Sequence, residues 1–263
     1  MDLGLKDRTA IVCAASRGLG YATARELAAE GARVVICARG DDRLQAARQA
    51  IIAETGAEVR AVAADLATRE GIEAVAHATE TAFGQVDILV NNTGGPPSGP
   101  FESLGWDKWQ AATDNLLRST VELTRRVLPG MRQRKWGRIL NVTSITVKQP
   151  VDGLMLSNSL RAAVTGFART LASEVARDGV TVNCILPGYT KTERVAQLAA
   201  ATAEREGLSV AEVQARTEGQ IPMRRMGEPR EFAALAAFLV SERASYITGQ
   251  SVAVDGGWIR ALY

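Results

Sequence analysis

The sequence predicts an α/β fold, with a single domain built on a doubly wound parallel sheet of about seven strands and helices on both faces. Two observations predict it. Seven short apolar runs rich in Val and Ile alternate with longer segments of helical periodicity, the pattern of parallel strands joined by crossover helices. The runs also lack a polar alternate face, which marks strands buried on both sides. At 263 residues the chain has the length of one α/β domain with a full core.

The elements follow in order. Residues 9–13 form the first strand, residues 21–30 an Ala- and Leu-rich helix that Gly31 stops, and residues 33–37 the second strand. Next come a helix at 41–54, a strand at 58–63, a helix at 69–83 and a strand at 86–90. Residues 106–135 read as one long helix before a strand at 138–142, and 156–177 as a second before a strand at 181–186. A helix at 230–241 and a strand at 251–254 close the pattern. The irregular part is 192–222, rich in Ala, Glu and Arg at helical spacing between a strand end and the next sheet helix.

Bulk properties narrow the function. A net charge of +2 gives no argument for nucleic acid or an anionic membrane. No apolar run approaches membrane-spanning length, and the first residues lack a basic-then-apolar signal. The expectation is a soluble, cytoplasmic protein. Cys13, Cys37 and Cys184 fall on strands or their ends without metal spacing, so they are expected to be reduced and buried, with no metal site. His77 is the single histidine and falls on a surface helix, which disfavours Ser-His-Asp and His-metal chemistry.

The first strand runs into Cys13-Ala14-Ala15-Ser16-Arg17-Gly18-Leu19-Gly20 and then into a helix. Strand, glycine turn, helix, strand is a βαβ unit whose turn aims free backbone N–H groups and a helix N-terminus at one point. That point suits a pyrophosphate. Gly18 and Gly20 leave room for backbone to approach phosphate and for helix to pack on strand.

Over nearly its whole length the sequence resembles the short-chain dehydrogenases/reductases. The turn matches their T-G-x-x-x-G-x-G with Cys13 for Thr and Ala14 for the first Gly. The likeness continues through Asn91-Asn92-Thr93-Gly94, Gly137-Arg138-Ile139, Pro187-Gly188, and Ile247-Thr248-Gly249-Gln250 with Asp255-Gly256-Gly257. Within the family it is most similar to 3-oxoacyl-[acyl-carrier-protein] reductase-like members. The resemblance implies a Rossmann-type sheet, a nicotinamide cofactor, a small carbonyl or enone substrate, a substrate lid at about 192–222, and a homotetramer. The apolar stretch Trp258-Ile259-Arg260-Ala261-Leu262-Tyr263 fits that assembly.

Such sheets select NADH with an acidic residue at the end of the second strand. Here Ala38-Arg39 stands there. Arg39 attracts a 2′-phosphate with a forked cation, and Arg17 reaches the same group, so NADPH is expected over NADH. The resemblance further puts Ala14, Ser16, Leu19 and the turn glycines on the cofactor, with Asp65 and Leu66 at its adenine. For Asp65 a helix N-cap before Thr68 is the competing reading. Asn92, Thr93 and Gly94 fall near the ribose, while Asn91 ties strands together. Pro187, Gly188 and Thr192 match the nicotinamide support, Thr192 being where the family bonds the carboxamide. Ala14 is a mild loss unless its position needs positive φ.

The family's carbonyl chemistry rests on an Asn, a Ser and Tyr-x-x-x-Lys. The Tyr donates a proton as hydride arrives, the Lys tunes it and holds the ribose, and the Ser polarises the carbonyl. Ser144 matches the Ser. Thirteen residues on, where Tyr belongs, stands Ser157, and four further, where Lys belongs, stands Arg161. Ala162-Ala163-Val164-Thr165-Gly166 continues the family pattern without a gap, so the pair is replaced and not shifted. Gap-free counting puts the Asn position at Leu116, one residue past Asn115. One residue turns a helical side chain by about 100°, so Asn115 serves only if the helix bulges there.

The replacements change the chemistry. An aliphatic hydroxyl is far less acidic than a phenol, so Ser157 is a poor proton donor. Arg161 stays charged and relays no proton at neutral pH, but it suits the ribose or a substrate carboxylate. Lys148, on the loop above the sheet's carboxyl edge, is expected to be the titratable cation facing the pocket. Two functions follow: an NADPH-dependent reductase of a carbonyl or conjugated enone, or an inactive NADP(H)-binding protein acting as a sensor or partner subunit. A substrate carried on a carrier protein needs a basic docking patch. Arg134-Lys135 retains part of one, but Asp178 falls where a second cation belongs.

Overall fold

In the computed structural model, which describes residues 1–262, seven parallel strands form one sheet in the order β3-β2-β1-β4-β5-β6-β7. The strands are β1 (Thr9–Cys13), β2 (Arg33–Ala38), β3 (Val59–Ala63), β4 (Ile88–Asn91), β5 (Gly137–Val142), β6 (Val180–Pro187) and β7 (Ser251–Val254). Central strands β1, β4 and β5 are buried at every position, as their unbroken apolar runs require. Tyr263 lies outside the described residues.

Helices cover both faces. On one side α1 (Gly18–Ala29), α2 (Asp41–Thr55) and α9 (Pro229–Leu239) pack Leu27, Leu44 and Phe232 on Val34, Ile36 and Ile88. On the other, α3 (Arg69–Phe83), α5 (Ser119–Gln133) and α6 (Met155–Val175) bring Val75, Leu123 and Ala168 against Ile11, Val35 and Leu89. Each fully buried Leu, Val or Phe contributes about 1.5–3 kcal/mol. Because β1 pairs with both β2 and β4, the strand order reverses there. The crevice at the carboxyl edge beside that reversal is where such sheets take ligands.

Two expected elements differ. The segment read as one helix at 106–135 is two, α4 (Trp106–Thr113) and α5, joined by a π turn at Asp114–Arg118. The irregular stretch folds as α7 (Glu193–Glu206) and α8 (Val210–Gln220). These two pack through Ala199, Ala203 and Val213, and a Ser209–Glu212 capping box starts the second. No helix among the described residues is long and apolar enough to cross a membrane.

Candidate active site

One cleft of about 610 Å³ runs along the carboxyl edge of the sheet. At one end it is walled by Ala14, Ser16, Arg17, Gly18 and Leu19. Arg17 precedes α1 in extended conformation and its side chain does not cap the helix, so the first N–H groups of α1 stay free for an anion. The Arg17 side chain instead pairs with Glu193 at the start of α7, and Arg43 lies 3.6 Å from the same carboxylate. Ala38 and Arg39, at the end of β2, line the same end with Asp65 and Leu66.

The turn departs from expectation at two residues. Ala14 has φ +49°, so its position does require the left-handed region, and a Cβ there costs about 1–2 kcal/mol. Gly20 does not line the cleft: a Cβ there would fall 2.4 Å from the Ala14 carbonyl oxygen. Its bareness lets α1 seat on the turn, and it is a packing residue. Asp65 is not the cap of α3. Thr68 is, its Oγ1 accepting from Gly71 N at 3.1 Å, while Asp65 Oδ1 accepts from Ala67 N at 3.0 Å. Free N–H groups at a helix start, a Gly18 at φ +60° and an arginine-rich rim fit a dinucleotide with an added phosphate.

Along the middle of the cleft Asn92, Thr93 and Gly94 follow β4, with Asn92 Nδ2 donating to the Cys13 carbonyl at 3.3 Å. Asn91 ties the sheet, donating to Asn141 Oδ1 at 2.9 Å and Thr124 Oγ1 at 3.2 Å. Pro187, Gly188 and Thr192 line the opposite wall. Thr192 also caps α7, its Oγ1 accepting from Val195 N at 3.4 Å. Tyr189 turns away and packs edge-on against Trp258, ring centroids 6.0 Å apart.

The far end holds Ser144, Ser157 and Arg161 together with Asn115. Ser144 Oγ accepts from Thr146 N at 3.1 Å, which leaves its own proton free. Ser157 and Arg161 are each 9% exposed, one helical turn apart on α6. Arg161 Nη1 donates to the Val142 carbonyl at 2.8 Å. Burial pushes its pKa down to about 10, and the charge of Arg194 adds to the effect.

Asn115 reaches the cleft because of the π turn, and Leu116 is 3% exposed, packed with Leu156 and Leu160. The bulge on which Asn115 depends is thus present, and the counted position, Leu116, lies in the core. Lys148 is corrected: it follows the 3₁₀ turn Ile145–Val147, is exposed and does not line the cleft.

The cation that joins Arg161 at this end is Arg194, on the first turn of α7. It donates to the Pro96 carbonyl at 2.8 Å, and burial lowers its pKa. Sequence reasoning missed it, and with it Arg43 and Glu193. Arg43 stands on the first turn of α2, just past the end of β2 that carries Arg39, and both line the same end of the cleft. Cleft arginines at 17, 39, 43, 161 and 194 face two carboxylates, Asp65 and Glu193. The three cysteines are free and buried. Among the described residues no cluster of His, Cys, Asp and Glu has the makings of a metal site.

This fold, with its glycine turn and its cleft at the strand reversal, defines a Rossmann-type dinucleotide-binding protein. Residues 13–259 match the family model described as enoyl-(acyl carrier protein) reductase. The chain is 30% identical over 259 residues to the NADPH-dependent reductase BacG of Bacillus subtilis, covering 98% of this chain and 100% of that one. It is 36% identical to the 3-oxoacyl-[acyl-carrier-protein] reductase FabG of Vibrio cholerae, covering 97% and 98%. The structure of L-sorbose reductase from Gluconobacter frateurii, complexed with NADPH and L-sorbose, superposes with a TM-score of 0.95 at 36% identity over the whole of both chains. The chain belongs to the short-chain dehydrogenase/reductase family.

Proposed function

We propose that this protein is an NADPH-dependent reductase of a small carbonyl compound or conjugated enone, working without the family's Tyr-x-x-x-Lys pair. The observation that carries this reading is the continuity of the cleft from Arg17 and Arg39 at one end to Ser144 and Arg161 at the other. It is supported by relatives and solved structures named as NADPH-dependent or NADPH-bound reductases. NADPH supplies a hydride to a substrate carbon.

The chain does the rest. Arg39 and Arg17 hold the 2′-phosphate, the start of α1 holds the pyrophosphate, and Asp65 and Leu66 take the adenine. Asn92, Thr93 and Gly94 line the ribose, and Pro187, Gly188 and Thr192 support the nicotinamide. Ser144 turns its free O–H to the substrate oxygen as a hydrogen-bond donor, with the Asn115 amide beside it, and water supplies the proton that completes the product. Arg161 offsets negative charge growing on that oxygen, and Ser157 adds a weak donor. An enone suits this set better than a plain ketone, because hydride then arrives at the β-carbon, the negative charge spreads over an enolate, and less depends on a strong acid at oxygen.

Helices α7 and α8 act as the substrate lid, since the first turns of α7 carry Glu193, Arg194 and Leu198 onto the cleft wall. The homotetramer stays part of the reading, with the exposed Leu262 in a subunit interface. Light scattering on the purified protein tests it. The activity test is NADPH oxidation against a panel of ketones and enones. NADPH binding with no turnover across the panel would leave an inactive cofactor-binding protein in its place.

A further inference from the structure

Resting on the reductase reading, we propose that the substrate is a carbonyl or enone acid whose free carboxylate is clamped between Arg161 and Arg194. Both residues line the cleft that holds Ser144 and Ser157, and the charge of Arg194 acts on Arg161. Arg161 is all but buried and, among the described residues, its guanidinium makes one hydrogen bond, to the Val142 carbonyl. A guanidinium carries five N–H donors, so most of its capacity is unspent. Arg194 donates to the Pro96 carbonyl and lies against Gly95, where a Cβ would come within 2.7 Å of its Nε.

Among the described residues no carboxylate pairs with either group. The shift at Arg194 comes from burial alone, and that at Arg161 from burial and then from Arg194 itself. Two like charges in one desolvated wall repel, and each costs free energy to bury. A bound carboxylate turns that repulsion into attraction and matches the forked donors.

The cleft's own carboxylates do not serve. Glu193 is held on Arg17, and Asp65 lies past the end of β3 at the opposite end. The cofactor's phosphates have their own arginines there, at 17, 39 and 43. A thioester-linked acyl chain offers no free carboxylate. On the surface that would dock its carrier, Asp178 takes up Arg132 Nε at 2.7 Å and Lys135 Nζ at 2.6 Å, which leaves fewer cations free for a carrier.

The experiment pairs 2-, 3- and 4-oxo acids and trans-3-benzoylacrylate with their methyl esters, NADPH being the reductant throughout. For at least one pair, kcat/KM for the acid should exceed that for the ester tenfold or more. Arg194→Gln should remove most of that ratio and Arg194→Lys should keep part of it. Both replace a half-buried residue on a surface helix, so folding is preserved. Equal rates on acid and ester overturn the inference, as does an Arg194→Gln variant that loses both in step with its NADPH affinity.

A calorimetric titration separates this from failure of the reductase reading. The same acids are added to NADP⁺-loaded protein, where no turnover is needed. Binding that Arg194→Gln weakens tenfold or more supports the clamp even in a protein that oxidises no NADPH. If no acid binds, the clamp is wrong whatever happens to the esters.

Discussion

Asn115 Nδ2 lies 3.5 Å from the Gly94 carbonyl because the helix beneath it carries one residue more than an α turn holds. The widened turn Asp114–Arg118 absorbs that residue, swings Asn115 onto the cleft and drives Leu116 into the small core with Leu104, Leu156 and Leu160. Such bulges cluster at functional sites, since they re-aim one side chain without unfolding the helix.

The two positions should therefore respond in opposite ways. Asn115→Ala should lower kcat by about 10²–10³-fold, the effect of losing one donor at a reacting oxygen, with little change in stability. Leu116→Asn should cost about 3 kcal/mol, since it empties a packed site and buries an amide without partners, and should add no activity. Urea melts and steady-state kinetics on both variants check this. An active, stable Leu116→Asn protein would mean the π turn is not the working geometry.

Cofactor choice should follow the arginines at the end of β2. NADPH should bind at least tenfold tighter than NADH, about 1.4 kcal/mol, and Arg39→Asp should shrink or reverse the gap. Glu193 adds a further expectation, because it occupies Arg17 and stands near Arg43. Exposed pairs of this kind contribute about 0–1 kcal/mol, so Glu193→Gln should tighten NADPH by about two- to fivefold and leave NADH unchanged. Calorimetry with both cofactors reads this directly, and equal affinities would sink the phosphate assignment.

Ala14 offers a stabilising change. Its Cβ sits in the left-handed region at φ +49° at a cost of about 1–2 kcal/mol, and glycine returns about 0.5–1 kcal/mol of that through its freer unfolded chain. Ala14→Gly should stabilise the protein by about 0.5–1 kcal/mol, read as a higher urea midpoint at unchanged slope. A lower midpoint would mean the turn is held by contacts of the methyl group.

Much of this was legible in the sequence, and what was not has a local cause. Buried strands and the glycine turn are written in short apolar runs and bare residues, and both sit where the pattern puts them. The π turn showed only as the one-residue offset between Asn115 and the counted position at Leu116, since apolar side chains return to the buried face before and after it. Lys148 was misplaced because the 3₁₀ turn at Ile145–Val147 carries the next residue outward. Arg194 was missed because helical spacing on a polar segment says which residues share a face, but not which turn of that helix overhangs the cleft.

The last expectation tests what the missing acid is worth. Ser157 is at the cleft wall while its neighbour Leu156 is fully buried, so a tyrosine at 157 extends into the cleft and not into the core. Arg161 lies one turn further along the same helix, and a lysine there exchanges a fixed cation for one that tunes a phenol. Ser157→Tyr with Arg161→Lys should therefore raise NADPH-dependent reduction of simple ketones. Positioned acids contribute on the order of 10²–10⁴-fold, but the surrounding groups are packed for smaller side chains, so the gain should be roughly tenfold. Reduction of enones should not improve, because protonation at oxygen does not limit it. Preference for acids over their esters should fall at the same time, since lysine cannot make the forked contact of Arg161. Stopped-flow NADPH oxidation on one ketone, one enone and one acid–ester pair reads all three effects. A folded, NADPH-binding double variant that reduces no ketone faster than the parent would show that the absent phenol is not what separates this protein from its relatives.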